Sequence, residues 1–252
     1  MKLTLMSFNT NAVIFKCLLL LSVCRFSFAE TFVVALYESG SPPLFFEKGS
    51  SKTGIYKDIL TLIGSITGDQ FEYKYYPARR AMKLFESAGY DIEPGINPAW
   101  REAAEIQGLY TVPFAEANDV IVFRKNEAKK SPKPKDLAGE RVGTINGFVY
   151  PAFSSAFSSG LVFREDTRTE FQLMAMLSRK RLNQILIRKD TAEYRIRTNP
   201  QFSNLEVGPV IGFVPIMFRF HPDKTGAIER FNKVIKRLID RSEIEQIYNR
   251  YR

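Results

Sequence analysis

The chain has 252 residues, a formal net charge of +9 and 13% aromatic residues. This aromatic content and the absence of low-complexity tracts exclude a disordered protein. The basic residues are spread along the chain rather than clustered, so the charge indicates a solvated basic surface and no nucleic-acid partner.

The N-terminal residues resemble a secretory leader. Lys2 and Lys16 supply positive charge, residues 17–23 form a short apolar run, and residues 27–29 offer the small side chains that a signal peptidase recognises. The apolar run is shorter than the ~20 residues of a transmembrane helix. We therefore predict a signal peptide over residues 1–29 and a periplasmic mature chain.

The cysteines bear on both export and chemistry. Cleavage before Cys24 would make a lipoprotein, but Val23 is a poor residue at that position and Ala29 offers the better site. Cleavage after Ala29 removes both cysteines, and a chain without thiols suits an oxidising compartment. His221 is the single histidine, and no phosphate-binding glycine loop or nucleophile elbow is present. The sequence thus predicts no metal, no cofactor and no catalysis.

Hydrophobic periodicity predicts alternating strands and helices, which is typical of an α/β fold. In chain order the expected elements are a strand over 31–36, a helix over 55–66, strands at 71–75 and 91–93 around a helix over 78–88, strands at 120–123 and 141–145, a helix over 169–182, a strand over 185–187 and an amphipathic helix over 228–239.

Several segments carry a family resemblance when taken in order. They are Phe32–Ala35 with Pro42–Phe45, Gly54–Ile59, Tyr90–Arg101, Pro134–Gly143 and Phe213–Phe220. Together they resemble the type 2 periplasmic solute-binding proteins, in particular the branch that binds polar amino acids.

This resemblance implies two α/β lobes joined by two hinge crossovers, with a ligand cleft between them. We expect the first lobe to comprise residues 30–117 and 213–252, and the second lobe residues 118–212. The implied protein is a monomer that captures a small carboxylate-bearing solute, an amino acid or an organic acid, for an inner-membrane permease or a sensor.

Arg101 is the first candidate for the ligand site, because a guanidinium holds a carboxylate through two parallel hydrogen bonds. The family usually has three residues from its Thr or Ser to this arginine, whereas Asn97 to Arg101 is four. The further candidates of the first lobe lie at strand ends or near the predicted cleft. These are Tyr37, Glu38, Phe45, Tyr76 and Trp100.

The second lobe departs most from the family. The stretch Gly147-Phe148-Val149-Tyr150 lacks the hydroxyls that amino-acid binders show there, so Phe148 becomes a candidate wall of the site. Asp190 is the candidate for an ammonium group, but Arg188 precedes it and is the alternative. If Arg188 faces the ligand, a free amino group is unfavourable and an anionic or aromatic carboxylate becomes the better ligand.

Two other functions compete with solute binding. An enzyme on the same fold, like the cyclohexadienyl dehydratases, would need a general acid in the cleft, and Glu38 and Glu93 are the candidates. A structural or adhesion domain would have no deep cleft.

Overall fold

The computed structural model describes residues 29–127 and 133–252. The predicted signal peptide, apart from Ala29, lies outside the described residues. Nine strands are present in the described part: β1 (Thr31–Tyr37), β2 (Gln70–Tyr76), β3 (Ile92–Ile96), β4 (Leu109–Tyr110), β5 (Ala115–Arg124), β6 (Arg141–Ile145), β7 (Phe163–Thr167), β8 (Gln184–Arg188) and β9 (Leu205–Phe220).

Seven α-helices occur in the same part of the chain: α1 (Ile55–Thr67), α2 (Ala78–Glu86), α3 (Pro151–Ser158), α4 (Glu170–Ser178), α5 (Lys189–Thr198), α6 (Thr225–Asp240) and α7 (Glu243–Asn249). None of these helices has the length and apolar character that a membrane span requires.

The strands form a continuous sheet in the order β2-β1-β3-β9-β5-β8-β6-β7, with β4 beside β9. The long strands β5 and β9 pair antiparallel over most of their length and join two halves. We call the half with β1–β4, α1, α2, α6 and α7 the first lobe, and the half with β6–β8 and α3–α5 the second lobe. The predicted two-lobed α/β fold is confirmed. The predicted lobe boundaries fall on β5 and β9, where Asn118 pairs with Phe213, and they stay predictions.

Helix α1 shows how the first lobe follows from its sequence. Ile55, Ile59 and Ile63 recur every fourth residue, so they share one helix face, and all three are buried in the lobe core. Gly68 ends the helix with φ of 84°, and its N–H donates to the Gly64 carbonyl. The apolar face of α6 packs into the same core through Phe231 and other side chains.

The second lobe has a core on each side of its sheet. In β5, Val120 and Val122 pack into one core, while Ile121 and Phe123 pack into the other. This alternation follows from the two-residue period of a strand. It also explains why this part of β5 is a continuous apolar run, since both faces of the sheet are covered.

Candidate ligand site

A cavity of about 110 Å³ lies between the two lobes. A single water needs at least roughly 10–15 Å³ of such space and occupies roughly 30 Å³ in the liquid, so the cavity has room for several waters or for a small organic molecule. The ends of β1, β6 and β8 reach the cavity, as expected where parallel strands end in an α/β fold. The cavity therefore lies where a ligand would be expected.

Aromatic side chains from both lobes form much of the cavity wall. Tyr37 and Phe45 of the first lobe pack with ring centroids 6.1 Å apart, and Tyr37 approaches Phe148 of the second lobe at 6.2 Å. Tyr56 also lines the wall at the start of α1. It fits closely because Gly95 has no side chain: a Cβ at Gly95 would lie 2.1 Å from the Tyr56 hydroxyl.

Arg101 lines the cavity, but its guanidinium is already engaged within the first lobe. The short 3-10 helix Pro98–Arg101 directs it toward Glu93, whose two carboxylate oxygens accept from Nε, at 3.2 Å, and from Nη2. Nη2 also donates to the Tyr37 hydroxyl at 3.3 Å, and Nη1 donates to the Trp100 carbonyl at 3.0 Å. Arg101 thus has few donors left for a ligand.

Glu93 is the centre of this buried ion cluster. Arg219 of β9 donates to its Oε2 from Nη1 at 3.1 Å, so two guanidinium groups share one carboxylate. Burial alone would raise the pKa of Glu93, but the two arginines outweigh it and hold this pKa below its usual value. Glu93 is therefore ionised, and the guanidinium groups of Arg101 and Arg219 balance its negative charge.

Arg188, at the end of β8, has far fewer hydrogen bonds than Arg101. Its side chain is 12% exposed and lines the cavity. Nη1 donates to the Tyr56 hydroxyl across the cleft at 3.1 Å. Nε and Nη2 are buried and have no hydrogen-bond partner among the described residues, and the nearest carboxylate oxygen, of Asp190, lies 3.6 Å from Nε. Most of the five donors of this guanidinium are therefore uncommitted.

Asp119 is the acidic counterpart of Arg188 in the cavity wall. The two residues pair directly across β5 and β8. Burial raises the pKa of Asp119 to about 6, although the nearby Arg188 opposes this rise. No hydrogen bond to the Asp119 carboxylate is present within residues 29–127 and 133–252. Asp119 is therefore an available acceptor for a donor group of a ligand.

Glu170, at the start of α4, connects the lobes through its carboxylate. Its Oε1 accepts from the Ser41 hydroxyl of the first lobe at 2.6 Å, while its Oε2 lies 3.6 Å from Arg195 Nη2. Burial raises the pKa of Glu170, opposed by Arg195 and by the bond from Ser41. A second contact joins the Ser41 and Thr191 hydroxyls at 3.2 Å.

The structure brings five of the predicted site residues to the cavity: Tyr37, Phe45, Trp100, Arg101 and Phe148. Three others do not line it. Glu38 is exposed, and Tyr76 stacks on Tyr90 with ring centroids 6.4 Å apart. Asp190 lines a smaller pocket beside Tyr194, and Arg188 takes the place on the cavity wall. The binding roles of these residues stay predictions.

Among the cavity-wall residues that sequence reasoning missed are Tyr56, Asp119 and Glu170. The sequence did indicate an unusual position for Asp119, because it is an acid at the beginning of a continuous apolar strand. It gave no such indication for Tyr56 and Glu170, since each lies at a helix start, where a solvent-exposed side chain is equally consistent with the sequence.

The fold and the cleft define a two-lobed solute-binding protein. The sequence pattern of the bacterial extracellular solute-binding proteins, family 3, matches residues 33–252, and the chain belongs to this family. No sequence among curated proteins matches the chain.

Solved structures share the fold at low sequence identity. The ligand-binding core of GluR0 in complex with L-glutamate is 17% identical, with a TM-score of 0.73 over 88% of this chain and 97% of that chain. A substrate-binding protein of an ABC uptake transporter from Streptococcus pneumoniae, with bound histidine, is 16% identical, with a TM-score of 0.74 over 88% and 92%. An ancestral amino acid-binding protein, a precursor of cyclohexadienyl dehydratase, is 15% identical, with a TM-score of 0.71 over 88% and 95%.

Proposed function

We propose that this solute-binding protein acts in the periplasm, where it encloses a small carboxylate-bearing molecule, an amino acid or an organic acid, and presents it to a permease or a sensor. The observation that carries the proposal is the cavity between the lobes, which contains a buried guanidinium with uncommitted donors. A buried cation of this kind is strongly stabilised by an anion. The L-glutamate and histidine of the similar structures both carry a carboxylate.

The contacts across the cleft support enclosure by a hinge motion. The lobes meet through the Ser41–Glu170 and Tyr56–Arg188 hydrogen bonds and through a bond from Arg79 to Asn146 at 2.9 Å. We place the hinge near 117/118 on β5 and 212/213 on β9, with residues 30–117 and 213–252 moving against residues 118–212. The chain passes between the lobes twice, once in β5 and once in β9, and the two passages lie side by side in the sheet. Such an arrangement permits one lobe to rotate against the other.

A thermal-shift screen tests the proposed ligand class. The purified protein is heated with each of the common L-amino acids and with a set of mono- and dicarboxylic acids. A ligand at 100 times its dissociation constant should stabilise the protein by about 2.7 kcal/mol. The methyl ester of each ligand serves as the control and should give no shift. Stabilisation by neutral sugars alone, with none by any carboxylate, would contradict the proposal.

A dehydratase on the same fold is the second candidate, and Glu170 is the observation that favours it. Its pKa is raised and it faces the cavity, as a general acid requires. The two acids considered from the sequence suit this role less well, because Glu38 is exposed and Glu93 is held ionised. Incubation with prephenate or arogenate distinguishes the candidates: formation of an aromatic product would establish the enzyme.

A further inference from the structure

We infer that Arg188 and Asp119 form the charged part of the ligand site, with Arg188 binding the carboxylate and Asp119 the ammonium group of an amino acid. This inference rests on the proposed function and deepens it, because it moves the ligand's charge contacts from Arg101 to the second lobe.

The first step of the argument concerns the geometry of a guanidinium. A carboxylate binds most strongly when its two oxygens accept from two parallel N–H groups. In Arg101 the Nε and Nη2 groups already donate to the two oxygens of Glu93. Glu93 is itself buried and shared with Arg219. A ligand carboxylate at Arg101 would have to displace the buried carboxylate of Glu93 from this guanidinium. Glu93 would then lie beside a second negative charge.

The second step concerns the same edge of Arg188. Its Nε and Nη2 groups, which correspond to those that hold Glu93 in Arg101, have no hydrogen-bond partner in the described part of the chain. The Asp190 carboxylate lies 3.6 Å from Nε, which is an ion pair but too long for a hydrogen bond. A buried charged donor without a hydrogen bond is costly, so a ligand carboxylate that bonds to this edge is favoured. The Tyr56 hydroxyl accepts from Nη1 and so orients the guanidinium from the opposite lobe. Tyr56 is therefore a positioning residue.

The third step concerns the distance between the two charges. In an α-amino acid the carboxylate and the ammonium group are attached to one carbon, so their partners must lie close together. Asp119 and Arg188 meet this condition because they are directly opposed on neighbouring strands, where side chains are roughly 5 Å apart at Cβ. Arg188 forms its ion pair with Asp190 rather than with Asp119. Asp119 thus remains available for the ammonium group. Arg188 alone would disfavour a free amino group, as expected from the sequence, but the Asp119 carboxylate on the same wall offsets that repulsion.

The access of the site follows from the same atoms. Nε and Nη2 of Arg188 are each reached by water over less than 1 Å² in this structure. This holds for the cavity side as well as for bulk solvent, so a ligand carboxylate reaches this edge only while Tyr56 and Arg188 are apart. As the lobes close, the guanidinium must turn its Nε–Nη2 edge from the Asp190 side toward the ligand, while Nη1 keeps its bond to the Tyr56 hydroxyl.

Matched ligand pairs and single substitutions test the inference by isothermal titration calorimetry. The probes differ only by the amino group: L-glutamate and glutarate, L-phenylalanine and 3-phenylpropionate, L-leucine and 4-methylpentanoate. The wild-type protein should bind the amino acid of at least one pair, and at least about tenfold more tightly than its partner, since an ion-paired hydrogen bond is lost with the amino group.

The variants separate the roles of the residues. Arg188→Gln should weaken binding at least about 30-fold, as expected when one partner of a buried charge pair is removed. Asp119→Asn should weaken amino-acid binding about tenfold and abolish the preference over the deaminated acid. Arg101→Gln should change affinity much less than Arg188→Gln. Arg141→Gln is the control, because the Arg141 side chain is 75% exposed.

The outcomes distinguish this inference from the proposed function. If the wild-type protein binds no carboxylate at all, the proposed function fails. If it binds one and Arg101→Gln, but not Arg188→Gln, abolishes that binding, the inference alone is overturned. Arg188→Lys keeps the charge but not the planar edge, and it replaces Arg188→Gln if that variant does not fold. It should still bind at least about tenfold more weakly than wild type, and wild-type affinity in this variant would overturn the inference.

Discussion

Asp119 on β5 lies directly opposite Arg188 on β8, and both side chains line the cavity between the lobes. The position of this pair is fixed by backbone hydrogen bonding between the neighbouring strands β5 and β8 rather than by a loop. Strand positions hold side chains more precisely than loops do. The β5–β9 pairing is irregular next to this point, between Asp119 and Val120. Such irregularities re-aim side chains, and here the irregular residue faces the cavity.

The first prediction is that Asp119→Asn stabilises the ligand-free protein. The pKa of Asp119 is raised from 3.8 to about 6, so the folded state binds its proton more tightly than the unfolded state does. The free energy of unfolding of the wild-type protein therefore falls as the pH rises from 3.8 to about 6, and the loss is complete above that range. At pH 7.5 the variant should gain up to about 3 kcal/mol. Urea unfolding at pH 5 and 7.5 measures the gain, which should shrink at pH 5.

The control for this variant is Glu116→Gln, an exposed position on the same strand. It should change the free energy of unfolding by less than about 0.5 kcal/mol at either pH. An Asp119→Asn variant that is less stable than wild type at pH 7.5 would show that the carboxylate has a favourable partner in the folded protein.

The second prediction concerns the pH dependence of amino-acid binding. Asp119 must be ionised to accept from an ammonium group, so affinity should fall by up to about tenfold per pH unit below pH 6. Arg188 and Tyr150 are the charged and titratable groups that act electrostatically on Asp119. The Asp119→Asn variant should lose this dependence. A ligand without an amino group should show the opposite slope in calorimetry, because its carboxylate competes with the Asp119 charge for Arg188.

The fold was predictable from the sequence because its signals are local and repeated. Ile55, Ile59 and Ile63 define the buried face of α1 by their spacing alone, and Gly68 marks its end. Arg101 was likewise predictable as a cavity residue, since it follows β3 at the predicted cleft. Both inferences use neighbours in the chain or the order of elements along it.

The charge partners within the site were not predictable in the same way. The pairing of Arg101 with Glu93 depends on the turn of residues 98–101, which brings the guanidinium back onto β3. The choice between Arg188 and Asp190 depends on where β8 ends and α5 begins. A shift of one residue in the end of a strand or the start of a helix changes which side chain faces the cavity. A hydrophobic pattern does not locate such ends to within one residue.

The third prediction is that Glu93→Gln strongly destabilises the protein. The substitution leaves the guanidinium groups of Arg101 and Arg219 without their shared buried carboxylate. Removal of one partner from a buried ion pair typically costs about 3–5 kcal/mol. Urea unfolding at pH 7.5 measures the loss, and Glu72→Gln, on the exposed side of β2, is the control. A loss below about 1 kcal/mol would show that Glu93 does not compensate the two arginines, and Arg101 would again be available to a ligand.

The fourth prediction is that Gly95→Ala weakens both folding and ligand binding by displacing Tyr56. Gly95 has φ of 72°, and a Cβ there would lie 2.1 Å from the Tyr56 hydroxyl. Gly49→Ala is the matched control, because Gly49 has φ of 87° but no atom within 4 Å of the added Cβ. Both variants carry the backbone penalty of about 1 kcal/mol or more. Only Gly95→Ala carries the steric cost, typically about 1–3 kcal/mol further.

Because the Tyr56 hydroxyl orients Arg188, Gly95→Ala should also lower ligand affinity, whereas Gly49→Ala should leave it unchanged. Tyr56→Phe in the Gly95→Ala background removes the atom closest to the added Cβ, so it should recover part of the lost stability in a double-mutant cycle. Binding should not recover, since the hydroxyl that accepts from Arg188 is gone. If Gly95→Ala and Gly49→Ala unfold at the same urea concentration, Tyr56 can move aside at no cost, and it cannot be the residue that positions Arg188.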